Sequence, residues 1–293
     1  MNKVSVVIPA KNEADTIGSV VSRLNVISDI VEILVVDDGS TDETPMLAAQ
    51  AGAKVISHPY SLGNGAAIKT GARAAVGEIV VFMDADGQHD PAEIPRLIRK
   101  LDEGFDMVVG ARSKKGQASV GRGMANRFYN RLASYVTGQK IEDLTSGFRV
   151  ARLKRFREFI TLLPNGFSYP TTSTMAFFRA GYAVAYEPID VKRREGKSHI
   201  NIIKDGLRFL LIIFKVGTLY SPLKLFTPAS FLFFFLGCGY YMFTLISQGR
   251  FTNMSALLFS TSIIIFFMGL VSEQITQLMY KDSSSSDREE GGL

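Results

Sequence analysis

Two aspartates, Asp84 and Asp86, follow directly on an uninterrupted apolar run, Ile79–Met83. In an extended segment residues i and i+2 point the same way, so both carboxylates can face one ion. Oxygen donors in a chain with a single cysteine and only His58, His89 and His199 suit Mg²⁺ or Mn²⁺ rather than zinc. A divalent ion held there acts as a Lewis acid on a departing oxyanion, without proton transfer. Alone, Asp-x-Asp also reads as an acidic turn; its place after a buried strand favours a ligand role. A second acidic pair, Asp37-Asp38, ends the run Ile33–Val36 and precedes Gly39-Ser40-Thr41-Asp42-Glu43. Gly39 relaxes that turn, and Ser40 to Asp42 offer helix N-caps. A capped turn and a ligand site are equally good readings of this pair.

The elements that position these groups follow from the pattern of apolar residues. Val4–Ile8, Ile33–Val36, Ile79–Met83 and Met107–Val109 are compact runs of the kind buried on both faces of a parallel sheet. Helix-like stretches separate them: Glu13–Val26, Glu43–Ala51, Asn64–Val76 and Pro91–Glu103, the last with Asp90 as N-cap candidate. This alternation predicts a doubly wound α/β domain, in which ligands gather at the carboxyl ends of the strands. Three such ends carry polar groups: Pro9-Ala10-Lys11-Asn12-Glu13, Asp37-Asp38-Gly39-Ser40 and Asp84-Ala85-Asp86-Gly87-Gln88. Residues 111–200 are less regular and basic, with a helical stretch from about Arg122 to Thr137.

Composition changes near residue 200. No charged side chain lies between Leu225 and Gly249, or between Phe251 and Ser272. Each stretch exceeds the roughly 20 residues a helix needs to cross a bilayer core. The formal charge of +5 is concentrated before them, in Lys192, Arg193, Arg194, Lys197, Lys204, Arg208, Lys215 and Lys224. Basic residues crowded beside a span mark a cytoplasmic flank facing anionic lipid, not a nucleic-acid surface. Lys204, Arg208 and Lys215 recur on one helical face, as in an interfacial amphipathic helix. The run Val4–Ile8 is too short for a signal-peptide core, so none is expected. The expected organisation is a catalytic domain over 1–200, interfacial helices over 201–224, a two-span hairpin over 225–280 and a disordered cytoplasmic tail over 281–293.

Together the motifs resemble the inverting glycosyltransferases of the GT-A fold, and more closely the polyprenyl-phosphate glycosyltransferases, a group that includes dolichol-phosphate mannose synthases and bacterial glucosyl and aminoarabinose relatives. The matching stretches are Val7–Glu13, Val36–Asp42, Gly63–Ile68, Met83–His89 and Leu144–Arg149. The resemblance implies a GT-A, mostly parallel catalytic domain ahead of the membrane segments. It implies that Pro9, Ala10, Glu13 and Asp38 form the pocket for base and ribose. Asp84 stands near ribose and metal, and Asp86 with Gln88 forms the direct metal shell. Arg112, Arg122 and Arg193 receive the lipid phosphate and the donor diphosphate, and Ser146 lies in the acceptor loop. The family pattern Arg-x-x-Gly-x-Ser-Lys is Arg193-Arg194-Glu195-Gly196-Lys197-Ser198-His199 here, and Asn64 stands where lysine is common. Homo-oligomers, tetramers among them, belong to the same implication, and Gly237 and Gly239 permit close helix approach.

The implied reaction moves a hexose from a GDP-mannose or UDP-glucose type donor to a dolichyl or undecaprenyl phosphate, with Mg²⁺ or Mn²⁺. A phosphate monoester is largely ionised at neutral pH, with a second pKa of about 6, so the nucleophile needs no general base. Arginines suit its placement because guanidinium binds phosphate bidentately. Two rivals remain: a processive polysaccharide synthase, and a membrane-tethered nucleotide-sugar-binding protein without turnover. The first carries a Gln-x-x-Arg-Trp segment, whereas this chain has no tryptophan; the second has no need of the acidic and arginine set. The charge asymmetry gives a topology test. After Cys238→Ser, a Thr252→Cys variant should react with impermeant thiol reagents in intact cells and Ser284→Cys should not. The opposite labelling pattern would invert the orientation.

Overall fold

The computed structural model describes residues 3–112, 120–166, 169–191, 211, 214, 217–218 and 221–289, with side chains 120–126 and 279–289 left undescribed. The chain divides into two units, residues 1–131 with 139–206, and residues 132–138 with 207–293. The expected interfacial helix over 201–221 falls largely outside the described residues.

The first unit is built on a seven-stranded sheet in the order β3-β2-β1-β4-β6-β5-β7. Its strands are β1 (Val4–Ala10), β2 (Ile30–Asp37), β3 (Lys54–Ser57), β4 (Ile79–Phe82), β5 (Met107–Arg112), β6 (Arg149–Arg152) and β7 (Val184–Ile189). All neighbours are parallel except β6, which runs antiparallel to both β4 and β5. The four compact apolar runs are β1, β2, β4 and β5. The other three strands carry no comparable run, for separate reasons. β3 is a half-exposed edge, β6 begins and ends in arginine, and β7 contains Pro188, which its edge position tolerates.

Helices α1 (Ala14–Leu24), α2 (Thr44–Gln50), α3 (Asn64–Ala74), α4 (Ile94–Asp102), α5 (Val120–Thr137), α6 (Leu153–Arg157) and α7 (Tyr169–Arg179) follow the strands. Asp90 caps as expected, accepting from the Ala92 N–H, but of a short 3₁₀ turn ahead of α4. On one face of the sheet Val6, Ile8, Val35, Val81 and Val108 pack with Ile17 and Leu24 of α1 and Leu97 and Leu101 of α4. Fully burying such side chains contributes roughly 1.5–3 kcal/mol each. On the other face Phe82 meets Phe156 at 4.5 Å between ring centroids. Gly71 of α3 lies so close to β1 that a Cβ there would come within 2.2 Å of Val7.

The second unit contains a helical hairpin, α8 (Pro222–Gln248) and α9 (Asn253–Glu289). Two segments, Pro222–Gln248 and Asn253–Leu278, are long and apolar enough to cross a membrane, with mean hydropathies of 1.7 and 2.2. Large apolar side chains such as Phe235, Leu236, Ile263 and Phe267 point outward, whereas small polar ones point inward. Ser230, Gly237 and Thr244 recur every seventh residue in α8, and so do Ser255, Ser262, Gly269 and Thr276 in α9. Serine and threonine at these positions are buried. A seven-residue period makes one continuous seam between supercoiled helices, and small residues let the backbones approach. At its middle Ser230 Oγ donates to Ser262 O and Ser262 Oγ donates to Ser230 O, both at 2.9 Å.

Gly237 is used within the hairpin, packed closely on Phe259 and Leu258, while Gly239 has open space beside it. Helix α9 continues to Glu289, through residues expected as a disordered tail. Between Lys281 and Gly291 there is no glycine or proline, and extending a formed helix is far easier than starting one.

The reciprocal serine pair yields a prediction. Ser262→Ala should destabilise the hairpin by about 0.6 kcal/mol, rising to no more than about 1.7, whereas Ser262→Leu should cost about 1–3 kcal/mol by overpacking. Unfolding in mixed micelles with a titrated denaturing detergent measures both.

Candidate active site

The site forms where β2, β1 and β4 end side by side. In the strand order, β1 lies between β2 and β4, so the chain leaves β1 for one side of the sheet and later returns on the other. Such a reversal opens a crevice at the carboxyl ends. A cavity of about 340 Å³ occupies it. Pro9, Ala10, Lys11 and Glu13 line it from β1 and its loop; Asp38 from the end of β2; Ser61, Gly63 and Asn64 from the loop into α3; and Asp84, Ala85 and Asp86 from the end of β4. Lys11 is the only basic residue among these.

The loops after β1 and β2 are laced together. Asn12 adopts a left-handed backbone with φ of 53°, uncommon outside glycine though tolerated by asparagine. Its Oδ1 accepts from the Thr41 N–H at 2.8 Å, and its own N–H donates to Ser40 Oγ at 2.9 Å. The Glu13 N–H donates to Thr44 Oγ1 at 2.8 Å. The turn residues Ser40 to Asp42 thus serve the neighbouring loop as well as α2. Asp42 Oδ1 also accepts from the Thr44 N–H at 3.1 Å.

Asp38 is buried and fully subscribed. Oδ1 accepts from the Leu62 N–H at 2.8 Å and His58 Nδ1 at 2.9 Å. Oδ2 accepts from Ser61 Oγ at 2.7 Å and the Gly63 N–H at 2.9 Å. An ionised carboxylate only accepts, so the His58 proton sits on Nδ1; His58 Nε2 meets Thr70 Oγ1 at 3.0 Å. Burial works to raise the Asp38 pKa, but the hydrogen bonds from His58, Ser61, Leu62 and Gly63 outweigh it and hold the carboxyl below its usual value. The carboxylate therefore shapes the wall formed by residues 58–63. Gly39, with φ of 71°, makes room for that wall: a Cβ there would lie 2.9 Å from the Ser61 nitrogen.

Asp84 and Asp86 both line the cavity, with Ala85 between them, from the turn that follows β4 and not from an extended segment. Among the described residues no group of three or more His, Cys, Asp or Glu side chains is placed to hold a metal. Two carboxylates fit Mg²⁺ or Mn²⁺, ions that complete their shell with substrate phosphate oxygens and water. Gln88 is not among the lining residues; its backbone N–H closes a turn on Asp86 Oδ1 at 3.1 Å. Next to it, His89 is buried and stacked on Phe148, with Nε2 3.7 Å from Asp84 Oδ2 and Nδ1 without a hydrogen-bond partner among the described residues.

Arg112 and Ser146 do not line the cavity but meet on one loop. Arg112 Nε and Nη2 grip the Asp143 carboxylate at 2.8 and 2.9 Å, and Nη2 also donates to Thr145 Oγ1 at 2.5 Å. The same carboxylate accepts the Ser146 N–H at 3.1 Å. The Nε–Nη2 edge of Arg112 is thus engaged by Asp143. Burial pushes the Asp143 pKa up, and the Arg112 guanidinium more than reverses it. Arg122 stands in the first turn of α5 with its side chain outside the described residues, and Arg193 lies outside them altogether. Motif reading left Lys11 and Ser61 without a role, and Asp143 without notice. Lys11 sits beside a named motif residue; Asp143 had no signal beyond preceding the Leu144–Arg149 stretch.

An Asp-x-Asp pair at the switch point of a doubly wound sheet can hold a divalent ion, and family resemblance identifies the domain that carries it. The model of glycosyl transferase family 2 matches residues 5–160, and that of the GtrB C-terminal hairpin matches residues 221–278. The chain belongs to glycosyl transferase family 2, has the GT-A fold and is a glycosyltransferase. Glycosyltransferase AglJ of Haloferax volcanii is 29% identical over 234 residues, covering 78% of this chain and 76% of that protein. The undecaprenyl-phosphate 4-deoxy-4-formamido-L-arabinose transferase of Salmonella choleraesuis is 37% identical over 162 residues, 52% of this chain. The match spans about half of that relative, 49% of its length. Among solved structures, glucosyl-3-phosphoglycerate synthase from Mycobacterium tuberculosis with Mn²⁺ and UDP-glucose superposes with a TM-score of 0.61 at 25% identity, covering 74% of this chain and 79% of that one.

The saturation of Asp38 yields a prediction. In an Asp38→Asn variant the amide nitrogen faces donors, so two of the four hydrogen bonds are lost, each worth about 1.5–3 kcal/mol where a charged group is involved. The donor KM should rise at least roughly ten-fold. Because the native carboxyl titrates below its unfolded value of about 3.9, its stabilisation is complete above that pH and is lost as pH falls through the lower folded pKa. Thermal melts of the variant should lack that acid limb.

Proposed function

We propose that this enzyme transfers a hexose from a nucleoside diphosphate sugar to a polyprenyl phosphate, with Mg²⁺ or Mn²⁺, at the cytoplasmic face of a membrane. One observation carries the reading: the same chain joins a GT-A cavity presenting Asp84 and Asp86 to a hairpin of two helices long and apolar enough to span a bilayer. An acceptor embedded in lipid would need both parts. The undecaprenyl-phosphate transferase among the relatives and the Mn²⁺ complex of the structural neighbour support the acceptor class and the metal class respectively.

In this reading Asp84 and Asp86 hold the ion, which when bound neutralises charge on the leaving diphosphate. Pro9, Ala10, Glu13 and the wall kept in place by Asp38 enclose the nucleoside, and Lys11 adds a cation beside the donor. The acceptor phosphate arrives ionised, so positioning and exclusion of water supply much of the acceleration. Arg122 and Arg193 orient that phosphate. Arg112 contributes through the loop around Ser146, which it pins by way of Asp143. The crowded basic residues between Lys192 and Lys224 hold the catalytic side against the anionic cytoplasmic leaflet, with both ends of the chain on that side.

The test is direct. Membranes containing the protein are incubated with radiolabelled UDP- and GDP-sugars and undecaprenyl or dolichyl phosphate, and label is counted in the organic phase. Transfer should vanish with EDTA, return with Mn²⁺ or Mg²⁺, and be absent in Asp86→Ala. Transfer by Asp86→Ala in excess chelator would refute the metal assignment. Label appearing only in a water-soluble or polymeric product would refute the acceptor.

A further inference from the structure

Arg149 is the largest fully buried side chain of the protein's described residues, and no carboxylate among those residues pairs with it. On β6 it is aligned with Phe82 of β4 and Val109 of β5, on the face covered by α7. Nε donates to Ser146 O at 2.9 Å. Nη1 donates to Pro170 O, Ser173 Oγ and Thr174 Oγ1 at 2.8, 2.9 and 2.8 Å, while Nη2 has no partner among the described residues. Burial draws its pKa down, and Asp143 and Asp84 oppose this only from beyond ion-pair distance. A buried cation without a paired anion is expensive to keep, and a packed apolar residue would usually serve stability better. What Arg149 gains is reach, since one planar group grips two separate chain segments.

The gripped peptide leads to the metal site. The carbonyl of Ser146 is held by Arg149, and that of Gly147 by Tyr169 Oη at 3.0 Å. Tyr169 is itself buried, its ring 5.9 Å from the Arg149 guanidinium. Immediately in front of this peptide lies Asp84: a Cβ on Gly147 would stand 2.6 Å from Asp84 Oδ2. The glycine therefore forms a bare backstop against which the carboxylate rests. Two consecutive carbonyls are fixed from behind, and a carboxylate of the cavity lies against the peptide in front.

We propose that Arg149 and Tyr169 are positioning residues for Asp84, setting through the Ser146–Gly147 peptide the carboxylate geometry with which the donor's divalent ion is bound. The inference deepens the proposed function and rests on its assignment of Asp84. It makes the loop of the acceptor side and the acidic pair of the donor side one mechanical unit.

The experiment uses the purified full chain in detergent, with wild type, Tyr169→Phe, Arg149→Lys and Gly147→Ala. Calorimetry measures Mn²⁺ binding in the presence of UDP or GDP, whichever the wild type binds, and melting curves report the fold. Tyr169→Phe keeps the ring and loses one hydroxyl; its melting temperature should fall by no more than about 4 °C while Mn²⁺ affinity drops about ten-fold. Arg149→Lys keeps the charge but not the fork, and should lose as much or more. Gly147→Ala, which displaces Asp84 directly, should weaken Mn²⁺ at least as strongly. In transfer assays the Tyr169→Phe deficit should shrink at saturating Mn²⁺, which a general loss of packing would not permit.

Wild-type Mn²⁺ affinity in Tyr169→Phe and Arg149→Lys, with a weakened Gly147→Ala, would overturn the positioning role. Wild-type affinity in all three would overturn the contact on Asp84 as well. Should Arg149→Lys fail to fold, Tyr169→Phe decides. Intact Mn²⁺ and nucleotide binding without transfer to polyprenyl phosphate would instead refute the acceptor reading, leaving this inference standing on the binding data.

Discussion

The site depends on one constraint, the parallel register of β2, β1 and β4. Ala10 is paired with Asp37, and Phe82 with Val7 three residues earlier, so all three strands run in one direction to one end of the sheet. Their last residues are Ala10, Asp37 and Phe82, and the segments that follow can only enter the same crevice. Parallel strands need buried faces on both sides, and here both are filled. Shifting one strand by a residue would reverse every side chain along it and displace the polar segment that follows. The apolar core thus determines where the acidic groups stand.

Above the strand ends, order comes from saturated carboxylates. Asp38 gathers its four donors from residues 58–63. Asp143 gathers Arg112, Thr145 and Ser146. Each converts an irregular loop into a fixed wall, because leaving any of these buried donors unmade would cost about 1–3 kcal/mol. Arg149 does the reverse, a buried donor collecting carbonyls and hydroxyls. Such a preorganised frame suits a reaction whose nucleophile arrives already ionised, where geometry and electrostatics carry the rate.

The hairpin follows a different rule. In the proposed membrane setting apolar burial between helices gives no net drive, and close packing with interhelical hydrogen bonds takes its place. The seven-residue succession of serine, glycine and threonine supplies both. Large side chains are turned outward, the inverse of the arrangement in the catalytic unit.

Much of this was legible in the sequence. Four apolar runs, the polar ends after three of them and two uncharged stretches are local features, because the side-chain alternation of a strand and the length of a span are properties of the chain itself. From them followed the α/β fold, the convergence of Pro9, Glu13, Asp38, Asp84 and Asp86, and the two candidate spans. What tertiary structure decided is which groups meet across long separations. Asp38 is bonded to a loop more than 20 residues onward, Arg112 to Asp143 31 residues away, and Arg149 to α7. No periodicity encodes such pairs. A buried polar group takes whichever partner the packed core brings within 3 Å, and that is settled only when the sheet and helices close. Strand β6 shows the same limit: arginine ends its short run, and only the sheet around it makes Arg149 an interior residue.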